Sequence, residues 1–162
     1  MRPSASAALA VVSLALASCA PEPVSVQLGF PSTETFLYSD FARLLVYPSD
    51  LEDSAGGCPV LLNSATAGDF GEPVYDSDWR AVCAFREGGV RFDDVPEGPN
   101  AYLVVTRDES NNLLLSGCRV AEVYVSAPSV TVSLFPTPFY SDATAGRALV
   151  CSNEEDKCRD GC

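Results

Sequence analysis

The sequence predicts an all-β fold, a small antiparallel β-sandwich with a disulfide-stapled C-terminal tail. Three observations lead there. About seven or eight short strand-like segments recur at roughly 8–12-residue spacing between turn residues. No stretch sustains a 3.6-residue apolar period with caps at its ends. Six cysteines follow the first nineteen residues, an even number that reads as a covalent framework.

The strands can be taken in order. In residues 24–30, VSVQLGF, Val24, Val26, Leu28 and Phe30 fall on one side, the period-two signature of a half-buried strand. Residues 41–47, FARLLVY, place Leu44 and Val46 opposite Leu45 and Tyr47, and Pro48 ends the run. Residues 49–78 are rich in Gly and Pro and read as loop, with a short helical turn around Cys58 to Leu62. Residues 79–85 alternate again, and Glu87-Gly88-Gly89 turns them into a strand over 90–95. A β-branched and aromatic run, 102–107, is joined by the polar turn 108–112 to a returning strand, 113–118. Residues 120–125 and 130–135 supply the last two strands, with Pro128 between them. This gives a β-sandwich domain over 24–135. Residues 136–162 form a Pro-containing linker and an acidic Cys-rich tail, too charged to be core and ordered only if its cysteines staple it.

Before the sandwich lies a segment of another kind. Met1-Arg2-Pro3-Ser4 carries one positive charge, and every residue from Ala5 to Leu16 is Ala, Val, Leu or Ser. That apolar run is shorter than the ~20 residues of a spanning helix, and small residues follow it in Leu16-Ala17-Ser18-Cys19. Residues 1–18 therefore read as a cleaved signal peptide. The Cys after them resembles a lipobox, whose thiol takes a diacylglycerol and whose new amine is then acylated. The alternative is an ordinary signal with an incidental Cys. Residue 20 is Ala rather than Asp, which resembles the class of lipoproteins sent to the outer membrane. The tether, 19–23, reaches on the order of 15 Å past the lipidated Cys, which holds the domain close to the bilayer.

Composition closes several functional classes. The formal charge is −12, from 22 acidic and 10 basic residues. Such a surface repels phosphate backbones, so no nucleic-acid partner is expected. The chain has no His. That removes the Ser–His–Asp triad, the Cys–His dyad, His-ligated zinc and the usual neutral-pH general base.

With Cys19 set aside, Cys58, Cys83, Cys118, Cys151, Cys158 and Cys162 read as three disulfides in an exported domain. Fifteen pairings are open. Cys58–Cys118 is favoured because each adjoins a Gly at an apparent element end. A metal site in the tail is the alternative, but Cys151-x6-Cys158-x3-Cys162 lacks knuckle spacing and a His ligand, so no metal and no cofactor are expected.

The segment Phe92-Asp93-Asp94-Val95-Pro96-Glu97-Gly98-Pro99-Asn100, then Tyr102-Leu103-Val104-Val105 and Leu115-Ser116-Gly117-Cys118, carries a resemblance. It is similar to the turn and following hairpin of prealbumin-like and Ig-like β-sandwich modules, which abound in lipoproteins of large-genome gliding soil bacteria. The likeness covers about 80 to 135, with three residues between Gly98 and Tyr102 where the tighter repeats have one. It implies a fold and an envelope address, and it transfers no active site.

Candidate chemistry is sparse. Acidic neighbours occur at Glu52 with Asp53, Asp76 with Asp78, Asp93 with Asp94, Asp108 with Glu109, and Glu154-Glu155-Asp156. Adjacent strand residues point to opposite faces, so Asp93 and Asp94 cannot share a site, and the rest read as solvated surface. Asp76-Ser77-Asp78 and Asp108-Glu109-Ser110-Asn111 lack the full calcium-loop pattern and read as turns. Trp79 and nearby Tyr75 are candidate binding aromatics, although a lone Trp at a strand start is more often core. The expectation is a non-catalytic binding or structural module, not an enzyme. It would be anchored to the membrane through Cys19 and meet another envelope protein or an envelope polysaccharide through its loops. The alternative is a carboxylate-based, glycosidase-like envelope hydrolase, which requires two acids ~5–10 Å apart in a cleft. A further alternative makes the acidic tail itself the part that docks a basic partner.

Overall fold

A computed structural model of the protein describes residues 24–49, 54–86, 90–92, 95–123 and 129–162. The expected signal 1–18, Cys19 and the tether 19–23 lie outside the described residues, as do Glu52, Asp53, the 87–89 turn, Asp93, Asp94 and residues 124–128.

The protein is mostly β-sheet, in two sheets. Alternation in the first strand becomes β1 (Val24–Gly29), with Val24 and Val26 buried. It is flanked by β5 (Val90–Phe92), antiparallel, and β8 (Ser129–Ser133), parallel, with Val26 opposite both Val90 and Val130. The expected wholly antiparallel body is corrected at this pair. About a hundred residues separate β1 from β8, so no hairpin fixes their relative direction, and a long crossover allows parallel pairing.

The larger sheet is antiparallel. Its order is β3 (Tyr75–Asp76), β2 (Phe41–Pro48), β6 (Gly98–Arg107), β7 (Leu113–Val123) and β9 (Phe135–Pro136), with β4 (Arg80–Ala81) pairing the start of β2. Leu44 and Val46 of β2 face inward with Tyr102, Val104 and Leu114 and pack against Val26, Phe92, Val130 and Val132 of the smaller sheet. Leu45 and Tyr47 face the other way, with Leu103 and Val105. That second face is also covered. Helix α2 (Ser54–Thr66) lays Leu61, Leu62 and Ala65 across it, and Cys58 of the helix is bonded to Cys118 of β7.

Helix α2 contains the short helical turn expected around Cys58 to Leu62 and extends it to thirteen residues, correcting the loop expected on either side of it. Pro59 inside the helix and its glycines argue against helix locally. Burial against Leu45, Leu103 and Val105, and the bond at Cys58, outweigh that propensity. The strand expected over 79–85 is instead β4 followed by a 3-10 turn, Val82–Phe85. Val82 and Phe85, three apart, are both buried there, a spacing that suits a helical turn and not a strand. The two strands expected over 113–118 and 120–125 are one, β7.

Helix α1 (Thr33–Tyr38) begins at a capping box. Ser32 Oγ accepts from Thr35 N at 3.2 Å, and Ser32 N donates to Thr35 Oγ1 at 3.2 Å. The tail contains α3 (Tyr140–Thr144) and α4 (Glu154–Asp160), the second capped by Asn153, whose Oδ1 accepts from Asp156 N at 2.9 Å. Cys83–Cys158 ties α4 to the 3-10 turn, and Cys151–Cys162 closes the chain's last loop. Among the described residues, no helix is long and apolar enough to cross a membrane.

The chain changes sheets between β8 and β9. Leu134 N donates to Gly29 O at 2.8 Å, and the next two residues pair with Leu115 and Ser116 of the larger sheet. At this crossing a Cβ on Gly117 would lie 2.2 Å from Ser133 O. A Cβ on Gly29 would make only ordinary contacts, none closer than 3.5 Å. We expect Gly117→Ala to lower unfolding stability by about 1–3 kcal/mol or more. Gly29→Ala should cost well under half of that. Urea midpoints of the two variants, compared with the parent, check the difference.

Candidate functional site

Strand register gives the molecule two ends. Val24 begins β1 beside Phe92, and β1 ends at Gly29 beside Ser133. Along the β8–β9 segment, Thr131 O accepts from Arg119 Nη1 at 3.1 Å, Ser133 meets Gly117, and Thr137 N donates to Leu114 O at 2.8 Å. The direction that leads away from Val24 therefore leads toward Leu113, Arg107 and Phe41, which are neighbours across the larger sheet. At roughly 3.3 Å per residue, the β6–β7 turn lies well beyond the far end of β1.

Asp108 builds that turn. Its carboxylate is buried, accepting from Asn112 N at 2.8 Å, Asn112 Nδ2 at 2.9 Å and Arg147 Nη1 at 2.6 Å. Burial alone would raise the Asp108 pKa, but these donors outweigh it and hold the carboxyl below its ordinary value. The turn leaves Asn111 at φ 67°, a conformation Asn tolerates well, with its Oδ1 accepting from Arg107 Nη1 at 2.5 Å.

Two recesses lie on either side of this turn. The first, about 180 Å³, opens on the outer face of the larger sheet between the end of α2 and the turn; Thr66, Phe70, Trp79, Arg107, Asn111 and Leu113 line it. Tyr47 donates from its hydroxyl to Phe70 O and pins the loop carrying Phe70. Asp78, at φ 56°, bends the chain that delivers Trp79. The Arg107 guanidinium lies 4.2 Å from the Trp79 ring centroid and 5.3 Å from that of Phe41. Arg43, on the same face, stands 5.1 Å from the Phe70 ring and 5.9 Å from Trp79. It is held by Asp76, to whose Oδ1 its Nε donates at 2.9 Å. This pairing raises the Arg43 pKa and, against partial burial, lowers that of Asp76.

The second recess, about 390 Å³, separates the body from the tail and is lined by Tyr38, Phe41, Val82, Arg147, Leu149 and Lys157 among others. Lys157, the single lysine, plugs its floor. Its Nζ donates to Leu37 O at 2.7 Å, Ser39 O at 2.8 Å and Asp40 Oδ1 at 3.0 Å. The last carbonyls of α1 are thus capped by the tail.

The structure separates the two candidate aromatics. Trp79 is half-buried on the outer face, whereas Tyr75 packs toward the inter-sheet core, 5.2 Å from Phe92. The disulfide cysteines Cys58, Cys118, Cys83, Cys151, Cys158 and Cys162 are all paired, Cys58 with Cys118 as its Gly neighbours favoured. The acidic turns are engaged internally: Asp76 holds Arg43 and accepts from Asp78 N at 2.9 Å, while Asp108 holds Arg147. Among the described residues, no three His, Cys, Asp or Glu side chains group as metal ligands. Sequence reasoning missed Arg43, Phe70, Arg107 and Lys157, and read Asn111 only as a turn residue. The strand parity of Arg43 with Leu45, and of Arg107 with Val105, was available. Their convergence on Trp79 depends on the β2–β6 register and on the Phe70 loop.

No family model matches the chain, and no curated protein or solved structure matches it.

Two outcomes follow from these charges. Lys157→Met should cost about 1.5–3 kcal/mol, because it leaves the α1 carbonyls and Asp40 without their donor; thermal unfolding of oxidised protein measures it. Asp76 and Asp108 are held below their ordinary values, so their stabilisation is complete above about pH 4 and is lost as pH falls through the folded values. Urea midpoints taken downward from pH 6 should fall below pH 4, with a shallower fall in Asp108→Asn.

Proposed function

We propose that this protein is a lipoprotein of the bacterial outer membrane, acylated at Cys19. In this reading it is a non-catalytic binding module of the prealbumin-like or Ig-like β-sandwich kind, and it meets an envelope polysaccharide or protein. The observation that carries the reading is the polarity of the fold. β1 starts at one end, five residues after Cys19, and the two recesses beside the β6–β7 turn lie at the other. A further recess of about 360 Å³, by Tyr47, Val60 and Ala101, lies toward the first. A lipid at Cys19 would hold the first end against the bilayer and turn the two distal recesses toward the envelope space.

Other features support it. Three disulfides suit an oxidising compartment. The two-sheet body and the β6–β7 hairpin, opened by Pro96 and by Gly98 at φ 102°, agree with the module to which the sequence is similar. The helical cover over the outer face is an addition to a plain sandwich. Against hydrolysis, Asp40 in the larger recess is paired with Lys157, and Asp76 and Asp108, paired with arginines, are pushed toward the ionised form, whereas a general acid needs a raised pKa.

Intact mass of the membrane-extracted protein tests the anchor. We expect the mass of residues 19–162 plus acyl chains, with six thiols alkylated only after reduction. Cys19→Ser should lose the acyl mass and the cleavage that follows acylation. An unacylated parent mass, or acyl chains that persist in Cys19→Ser, overturns the reading.

A further inference from the structure

We propose that the Trp79–Arg107 recess binds a single uronic acid residue, in an otherwise neutral glycan or at a glycan end. The proposal rests on the binding-module reading and names the ligand class of its smaller recess. The argument begins with two arginines on one sheet face. Arg43 and Arg107 are both half-buried and both lie over Trp79, yet their electrostatics differ. Asp76 takes both ends of the Arg43 fork. Arg107 has no carboxylate partner among the described residues, only the neutral amide oxygen of Asn111, and its Nε is buried with no hydrogen-bond partner. A buried donor without an acceptor is costly, about 1–3 kcal/mol. That Nε is closed to solvent, so an anion from outside would meet the terminal guanidinium nitrogens. Arg107 differs from the other described arginines without an ion pair in being half-buried in the lining of an aromatic recess.

The rest of the recess selects which anion. Its walls are the rings of Trp79 and Phe70 with the Leu113 side chain, and Asn111 and Thr66 place polar groups at the rim. Aromatic faces stack on the apolar C–H face of a sugar ring, and a guanidinium fork takes a carboxylate in two parallel bonds. At about 180 Å³ the recess is smaller than drug-sized pockets of ~300 Å³ and upward, which suits one ring and no more. The −12 charge repels a polyuronate or a phosphate-rich chain along its length. An isolated acid avoids that repulsion and still satisfies Arg107. Inorganic phosphate would meet the guanidinium but leave the aromatic walls unused.

Trp79 is the single tryptophan, so its fluorescence reports directly on the recess. The full acylated chain, in a detergent without a sugar headgroup, is titrated with methyl glucuronide, glucose, glucuronamide and inorganic phosphate. We expect a saturable change with the glucuronide alone. Arg107→Gln should weaken it roughly tenfold to a hundredfold, and Arg107→Lys, which keeps the charge but loses the fork, should also weaken it. Exposed Arg119→Gln should bind as the parent does. Denaturation midpoints confirm that each variant is folded, and Asn111→Ala gives an independent test should Arg107→Gln fail to fold. No saturable response in the parent, an equal response to glucose or glucuronamide, an equal response to phosphate, or parental affinity in Arg107→Gln overturns the proposal. The acyl masses of the parent and of Cys19→Ser do not involve Arg107. Their outcome judges the anchored-module reading separately.

Discussion

At Gly117 two backbones approach until no side chain fits between them, and the way the sheets join depends on that contact. β8 pairs with β1 as far as Ser133, passes over Gly117, and re-emerges as β9 against the larger sheet. A strand that belongs to both sheets closes the core along one side without a separate connecting layer. The same crossing brings Val130, Val132 and Leu134 over Leu114 and Val104. It also sets the direction in which β9, Thr137 and the tail leave the body. Thr137 Oγ1 donates to Leu113 O at 2.7 Å, just beyond the crossing, which directs α3 and the tail toward the β6–β7 turn.

The disulfides then hold what the inter-sheet core does not. Helix α2 contains a proline and glycines, and its buried contacts come from a few residues on one face. Cys58–Cys118 closes a separation of 60 residues and limits the freedom of the unfolded chain at that helix. The tail has weaker claims to order, since α4 is short and highly charged. Cys83–Cys158 places it beside Phe36 and Val82, and Lys157, one residue earlier, reaches the end of α1. A disulfide and a lysine cap on adjacent residues hold α4 from two sides. The larger recess is the space left between this tail and the body.

How much of this was legible follows from which forces are local. Period-two alternation was readable in β1, where one face is buried. β2 and β6 are buried on both faces and were readable from their apolar, β-branched and aromatic runs, and Leu44 and Val46 do face opposite to Leu45 and Tyr47. Helix α1 is too short to show a period, and its cap, Ser32 with Thr35, departs from the Ser-x-x-Glu pattern that marks a capping box in sequence. Only the Cys58–Leu62 turn of helix α2 was legible; its full length was hidden because its residues disfavour helix locally and are carried by tertiary burial and a distant cysteine. The parallel β1–β8 pair was hidden for a related reason: direction is encoded only where a short turn joins two strands. Gly117 read as the end of a strand. It is a strand interior kept bare for a neighbour's carbonyl.

The candidate site was less legible than the fold, and the reason is electrostatic. Trp79 stood out by type, but Arg43 and Arg107 become significant only when their partners are known. Register and the Phe70 loop bring both to one ring, and Asp76 then neutralises one and leaves the other. Asp108, the residue after Arg107, lies beyond the end of β6, in the turn, and is taken by Arg147 and Asn112. The turn thus commits one carboxylate to the tail and leaves the guanidinium beside it in sequence with only an amide oxygen. A chain rich in acids can therefore keep an arginine without an ion pair, because the acid next to it in the chain is already engaged elsewhere.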